Sequence, residues 1–381
     1  MDLELRPRGS GVVALGMAVL LVAGACSASA TPTPTQAPTA APTAAAATVA
    51  ATAAPTIDVL APYVSKTGTL PLIKFATSVP QMSFASFEIA KAMNFFEYQG
   101  VKTEFVQLQS GATALQAIQG GSIDLLDSAS TEVAGGVAQG LDFQAIQNTV
   151  MMTLQFCTTK DWAAKANLTA SSTLQQKFAA MKGSTIAITG PGAVSDKGAR
   201  FLLKKYGGLN PDTDTTIVQV GGAAAIPGAL DANQIQGFLL SPPACGQTKN
   251  GMILVEPGQV PEFANYVHEV LYGKKSWLTA HKTEATAVAT AISMGNNYIL
   301  KYPAAALTLL KKIFSAVDPA VVEVSFNNTI KPQIKQDGKM DEAMWKSTNS
   351  VLIEAGIITK PIDTAAGTIW TNEYIGDASL K

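Results

Sequence analysis

The sequence predicts an α/β protein of two lobes, each a largely parallel sheet with flanking helices. Three observations lead there. From residue 72 onward, short β-branched and aromatic runs alternate with longer runs of helical period, the mark of βαβ units. The order then recurs 112 positions on: Thr77 aligns with Thr189, Ser83 with Ser195, Val106-Gln107-Leu108 with Val218-Gln219-Val220, and Ile123 with Ile235. Finally, 381 residues with 47% apolar content are enough for about two units of ~100–200 residues each.

The elements follow in chain order. Arg6 and Arg8 precede an uncharged stretch over residues 9–25. It is short for a membrane span, which needs ~20 apolar residues, and suits the apolar region of a secretory signal peptide. The run Leu21-Val22-Ala23-Gly24-Ala25-Cys26 resembles a bacterial lipobox, which implies residues 1–26 as signal peptide and lipobox and lipidation of Cys26. Residues 27–66 begin as an Ala/Thr/Pro run without charge or aromatic groups through residue 56. Such a run cannot offset its ordering entropy by burial, so a disordered tether is expected.

The first repeat reads as strand 72–77, helix 84–96, strand 101–108, short helix 113–119 and strand 123–127. The second reads as strand 184–189, helix 195–206, strand 216–220, helix 224–231 and strand 235–240. Gly100 and Gly207-Gly208 follow the long helices, where a left-handed residue ends a helix. Residues 266–279 are mixed and strand-like. Helices are then expected over 284–301, from Pro303 to about residue 315, from Asp318-Pro319, and over 341–355 up to Gly356. This helical C-terminal tail is expected to pack on one lobe.

In open α/β sheets, ligands bind beyond the carboxyl ends of the strands. The loops there carry Thr77, Ser78, Gln81, Ser83, Phe84, Ser110, Gly111, Ser128, Ser130 and Thr131 in the first repeat. The second supplies Thr189, Gly190, Ser195, Gly222 and Ser241. Hydroxyls and free N–H groups at helix starts suit polar or anionic oxygen atoms, although Ser and Thr also serve there simply as helix caps. Among the aromatic residues near these loops, Trp162 is the candidate to stack on an organic ligand.

Composition narrows the function. Lys and Arg total 27 against 28 Asp and Glu, net −1, which lacks the basic surface a nucleic-acid protein uses. Two histidines and three cysteines argue against a multi-ligand zinc site. No nucleophile elbow, phosphate loop or carboxylate dyad stands out, so no catalytic residue, cofactor or metal is assigned. Beyond the tether only Arg200 remains as arginine, which favours a neutral or singly charged ligand over a dianion; Lys197 and Lys74 are the basic groups that would revise this. Cys157 and Cys245 would sit in an oxidising compartment, where paired and free states are both open.

Several motifs together resemble a known family. They are Ala90-Lys91-Ala92-Met93-Asn94-Phe95-Phe96 with Gly100-Val101, then Gly120-Gly121-Ser122-Ile123-Asp124, Met181-Lys182-Gly183-Ser184-Thr185-Ile186-Ala187-Ile188, residues 203–209 and Gly356-Ile357. This pattern is similar to the extracytoplasmic solute-binding proteins of ABC importers, in the branch that binds sulfonates, nitrate, taurine and pyrimidine precursors of thiamine. The resemblance implies a type II-like periplasmic-binding-protein fold: two lobes joined by crossover strands near 154–158 and 270–278, closing on a small molecule. Lobe one would span 67–155 and 275–381, and lobe two 156–274. It also implies a monomeric, membrane-anchored lipoprotein outside the cytoplasm, delivering its ligand to an ABC permease and its ATPase. A pyrimidine-synthase-like enzyme and a surface sensor or adhesin on the same fold are the alternatives.

Overall fold

A computed structural model describes residues 61–169 and 171–380. The expected signal peptide, Cys26 and the tether as far as residue 60 lie outside the described residues. The last residues of the expected tether are ordered. Tyr63 N–H donates to Met93 O at 2.9 Å, Lys66 N–H to Glu97 O at 3.1 Å, and the Tyr63 ring meets Phe95 and Tyr98 edge-on. Tyr63 supplies the apolar area that the Ala/Thr/Pro run before it lacks.

Among the described residues, ten strands form two five-stranded sheets. The first holds β1 (Leu72–Thr77), β2 (Lys102–Gln107), β3 (Leu125–Ala129), β4 (Phe143–Met151) and β10 (Val267–Lys274), in the order β2-β1-β3-β10-β4. The second holds β5 (Gln155–Thr159), β6 (Thr185–Ile188), β7 (Thr216–Gln219), β8 (Gly237–Leu240) and β9 (Gly251–Val255), in the order β7-β6-β8-β5-β9. In each sheet the repeat strands are parallel, while β10 and β5 enter antiparallel. Strands β3, β4, β5, β8 and nearly all of β10 are buried along their length, whereas edge strands β2 and β7 are largely exposed. Strands covered on both faces, the edge strand β4 among them, must be filled on both faces.

The repeat elements recur close to their expected bounds, with informative differences. The helix expected over 84–96 divides into Ala85–Ala92 and Phe95–Gln99, because Asn94 adopts a left-handed φ of 60°. The third strand begins two residues later than expected and runs through Ala129 straight into helix Ser130–Ala138. Strands β4 and β9 have no counterpart in the sequence reading. In β4 the buried positions include Gln144, Gln147, Asn148 and Thr149, so its hydropathy does not mark a strand. Residues 266–279 resolve into β10 and helix Lys275–Ala280, and β10, expected with the second lobe, hydrogen-bonds into the first sheet.

Cys157 in β5 and Cys245 in the turn after β8 are disulfide-bonded. The helical tail packs on both lobes rather than one. Lys282–Lys301 and Pro303–Ile313 cover the first sheet, and Gly295 lets the long helix meet helix Ala85–Ala92 at backbone distance. Helix Glu342–Glu354 straddles the lobes: Trp345 and Leu352 enter a core of the first sheet, while Val351 enters that of the second. Ser347 Oγ donates to Glu262 O at 3.1 Å, and Lys205 Nζ meets Glu354 Oε2 at 2.7 Å.

Candidate ligand cleft

Parallel pairing brings the carboxyl ends of β1, β2 and β3 to one edge of their sheet, and of β6, β7 and β8 to one edge of theirs. The loops beyond these edges meet. Met82 N–H donates to Pro242 O at 2.9 Å, and a Cβ on Gly190 would lie 3.6 Å from the Ser110 side chain. A Cβ on Gly222, at φ 93°, would lie 3.4 Å from Gln109 O.

Between them lies a narrow space of about 20 Å³. Ser78, Val79, Gln81, Gly111 and Glu132 line it from the first sheet, and Thr189, Ala193 and Ser195 from the second. Leu154, His268 and Glu269 of the crossover segments form its floor. It adjoins a cavity of about 380 Å³ that shares Val79 and Gln81 and adds Thr77, Phe84, Gln107, Ala223 and Pro243. On its other side a cavity of about 190 Å³ shares Glu132 and adds Thr131, Gly192 and Lys197.

The sequence-expected residues distribute as follows. Ser78, Gln81, Gly111, Thr189 and Ser195 line the central space, Thr77 and Phe84 the larger cavity, and Thr131 the third. Ser195 Oγ accepts from Thr189 N–H at 3.1 Å and lies 3.1 Å from Thr189 Oγ1, which ties the start of its helix to the end of β6. Ser83 and Ser128 are fully buried, beside Glu269 and Glu132 respectively. Three others act structurally. Ser110 caps helix Gly111–Gly120 by accepting from Thr113 N–H at 3.2 Å. Ser130 Oγ donates to Val267 O at 2.5 Å. Ser241 Oγ lies 2.8 Å from Thr153 Oγ1.

Trp162 is a correction. It sits in helix Lys160–Lys165 against the core of the second lobe. Strand β5 runs antiparallel to β8, with Gln155 opposite Leu240 and Thr158 opposite Gly237. The carboxyl end of β5, with Trp162 beyond it, is therefore at the edge away from the cleft. Arg200 is occupied by Asp196 and Asp212, each at 2.6 Å.

The sequence reading missed the buried acids. Glu132 occupies the first turn of helix Ser130–Ala138, one residue beyond the last site residue expected from β3. Glu269 lies opposite Ala129 in the β10–β3 pairing, and Asp127 lies behind them, accepting from Thr149 Oγ1 at 2.8 Å. Burial raises Asp127 and Glu132 each to about 7, against the Thr149 hydrogen bond in one case and mainly the Lys197 charge in the other. Glu269 is pushed well up by burial and then by the Asp127 and Glu132 charges. Burial lowers His268 to about 3, so the imidazole is neutral; its Nδ1 lies 2.9 Å from Thr153 Oγ1. Lys197, half-buried, is lowered by desolvation against the pull of Glu132 and Asp196, and its Nζ donates to Thr131 O at 3.3 Å, across the cleft. The signal for Glu132 was its place: an acid in the first turn after a cleft-edge strand.

The sequence profile of the NMT1-like family matches residues 77–318. No curated protein sequence matches the chain. Among solved structures, the ligand-binding component of an ABC-type import system from Staphylococcus aureus, determined with zinc bound, superposes with TM-score 0.65 at 15% identity, over 81% of this chain and 99% of that one. The periplasmic nitrate-binding protein of Synechocystis PCC 6803 gives 0.63 at 16% identity, over 77% and 84%. The alkanesulfonate-binding protein of Xanthomonas axonopodis pv. citri, bound to MOPS, gives 0.61 at 18% identity, over 77% and 96%. This chain belongs to the NMT1-like family, with the two-lobed fold of the extracytoplasmic solute-binding proteins of ABC importers.

Proposed function

We propose that this chain is the solute-binding component of an ABC importer, taking up a small organic molecule between its lobes and presenting it to a permease and its ATPase. The observation that carries this reading is the convergence of strand-end loops from two sheets on one crevice. Such a crevice makes contacts with both lobes at once, so a ligand favours the closed arrangement. A neutral His268 with a pKa of about 3 is too weak a base for proton abstraction near neutral pH, which supports binding over catalysis.

The lipobox-like run implies that Cys26 carries a lipid and that a monomer is tethered to the outer face of the membrane. Labelled fatty acid should enter the full chain and be lost in Cys26→Ser. For the main reading, the unit Pro55–Lys381 is purified and its co-purifying small molecules are identified by native mass spectrometry. The ligand is then returned to the stripped protein in a thermal-shift assay. At 100 times its dissociation constant it should add about 2.7 kcal/mol of stability. Turnover of the molecule, or no bound molecule and no shift with any solute class, overturns the reading.

A further inference from the structure

We infer that helix Val194–Lys205 is a latch between the lobes. It is carried rigidly by the second lobe and gripped near both ends by the first, and these grips hold the cleft closed. The inference concerns the motion of the lobes and stands whatever solute they enclose.

The helix moves with the second lobe. Ser195 Oγ accepts from Thr189 N–H at 3.1 Å. A Cβ on Gly198 would lie 2.6 Å from Leu239 in β8, so helix and sheet meet at backbone distance. Lys197 and, two turns on, Lys204 and Lys205 project along one side of the helix, about 12 Å apart. At the cleft end, Lys197 Nζ donates to Thr131 O of helix Ser130–Ala138 at 3.3 Å, and Glu132 of that helix faces its charge. A Cβ on Gly135, one turn further, would lie 3.6 Å from the same ammonium. At the far end, Lys205 Nζ meets Glu354 Oε2 at 2.7 Å, and Lys204 Nζ donates to Glu354 O at 3.4 Å. Between the two grips, Val351 and Ala355 pack in the apolar cluster of Phe201, Leu202 and Leu203.

The gripping elements are fastened to the first lobe. Helix Ser130–Ala138 buries Val133 and Ala134 in the core that also takes Trp345 and Leu352 of the tail helix. On either side of the tail helix the chain is tied to that lobe. Met340 N–H donates to Asn372 Oδ1 at 3.0 Å, and Thr371 N–H to Ala145 O in β4 at 2.9 Å. Parting the lobes thus draws three lysines from their partners. An exposed pair such as Lys205 with Glu354, at 28% and 39%, contributes little by itself. Carried on one rigid helix, the contacts form and break together. A solute enclosed by both lobes leaves only when this helix lets go, so the latch slows exit and lowers the remaining cost of closure.

The test uses the unit Pro55–Lys381, stripped of bound molecules, as parent and as Lys197→Met, Glu354→Gln and Lys182→Gln. The last removes an ion pair inside the second lobe, Lys182 Nζ to Asp214 Oδ1 at 3.2 Å. Small-angle scattering is expected to give a larger radius of gyration for Lys197→Met and for Glu354→Gln than for the parent. Amide exchange in the loops 78–84 and 189–195 is expected to quicken threefold or more in both, as the open population grows. Lys182→Gln is expected to match the parent. Should Lys197→Met fail to unfold cooperatively, the parent and Glu354→Gln are compared between about 0.05 M and about 0.5 M salt. Screening is then expected to open the parent more than the variant, and an equal response overturns the latch. Radii and exchange equal to the parent in either latch variant, or the same opening in Lys182→Gln, also overturn it. Each of these failures leaves the binding-protein reading standing, because no solute enters the measurement.

Discussion

Asp127 shows how a single buried group sets the behaviour of its surroundings. Its Oδ1 is held by Thr149 and its Oδ2 has no partner, so folding favours the protonated acid. A carboxyl raised from 3.8 to about 7 binds more protons folded than unfolded. Its stabilising contribution is therefore full at acid pH and is lost as pH rises through about 7. Asp127→Asn keeps an acceptor for Thr149 and removes the titration. Melting temperatures measured from about pH 4 to about pH 8 should fall less steeply in this variant than in the parent; parallel curves would show that Asp127 does not titrate as described. Ser195→Ala is expected to keep the fold but weaken ligand binding, since it frees Thr189 at the cleft wall. Equal affinity by calorimetry would take Ser195 off the binding surface. Serines and threonines at strand ends were legible from the alternation of strand and helix. Glu132 was legible only by its place in the first turn after β3, and Glu269 was not legible, because nothing in a single sequence says that β10 pairs with β3.

Elements were read best where local chemistry and tertiary demand agree. Strand β1 matches the expected residues because its β-branched and aromatic run is bounded by turn residues and buried along most of its length. Strand β4 was invisible because it buries amide side chains among its apolar ones; Gln147 Nε2, for example, donates to Ser293 Oγ at 2.8 Å and Gln144 Nε2 to Gly367 O at 3.0 Å. Close packing of the long tail helix on helix Ala85–Ala92 depends on Gly295, where a Cβ would lie 2.1 Å from Ser86 O. Gly295→Ala should therefore cost about 1–3 kcal/mol through forced separation of the helices. Denaturant unfolding checks this, and an unchanged midpoint would mean the helices part freely. The disulfide joins residues 88 apart, so replacing both Cys157 and Cys245 by Ser should cost about 2–4 kcal/mol in the same assay.

At the scale of the molecule, the repeat generates the cleft. Two copies of one strand–helix order turn their carboxyl edges toward each other, joined by the crossover segments that carry Thr153, Leu154 and His268. A central space of about 20 Å³ holds a water molecule at most, at ~10–15 Å³ each, while organic ligands need pockets of ~300–1,000 Å³. Entry into this central space, rather than into the adjoining cavity of about 380 Å³, therefore requires the lobes to part, with helix Glu342–Glu354, which touches both cores, re-seating as they do. Small-angle scattering should give a smaller radius of gyration with saturating ligand than without. Identical radii, together with unchanged hydrogen exchange in the loops 78–84 and 189–195, would rule out this opening.

By itself the sequence determined the α/β class, the duplicated order of elements and the strand-end loops that line the cleft. Each of these follows from local periodicity and turn chemistry, which neighbouring residues carry between them. Only the tertiary structure decided that β10 joins the first sheet, that Trp162 faces away, that Cys157 meets Cys245, and that carboxyl groups line the cleft. Those outcomes depend on pairing direction and register between segments more than a hundred residues apart in some cases, such as Ala129 and Glu269. Burial, which gives the acids their altered chemistry, exists only once such segments meet.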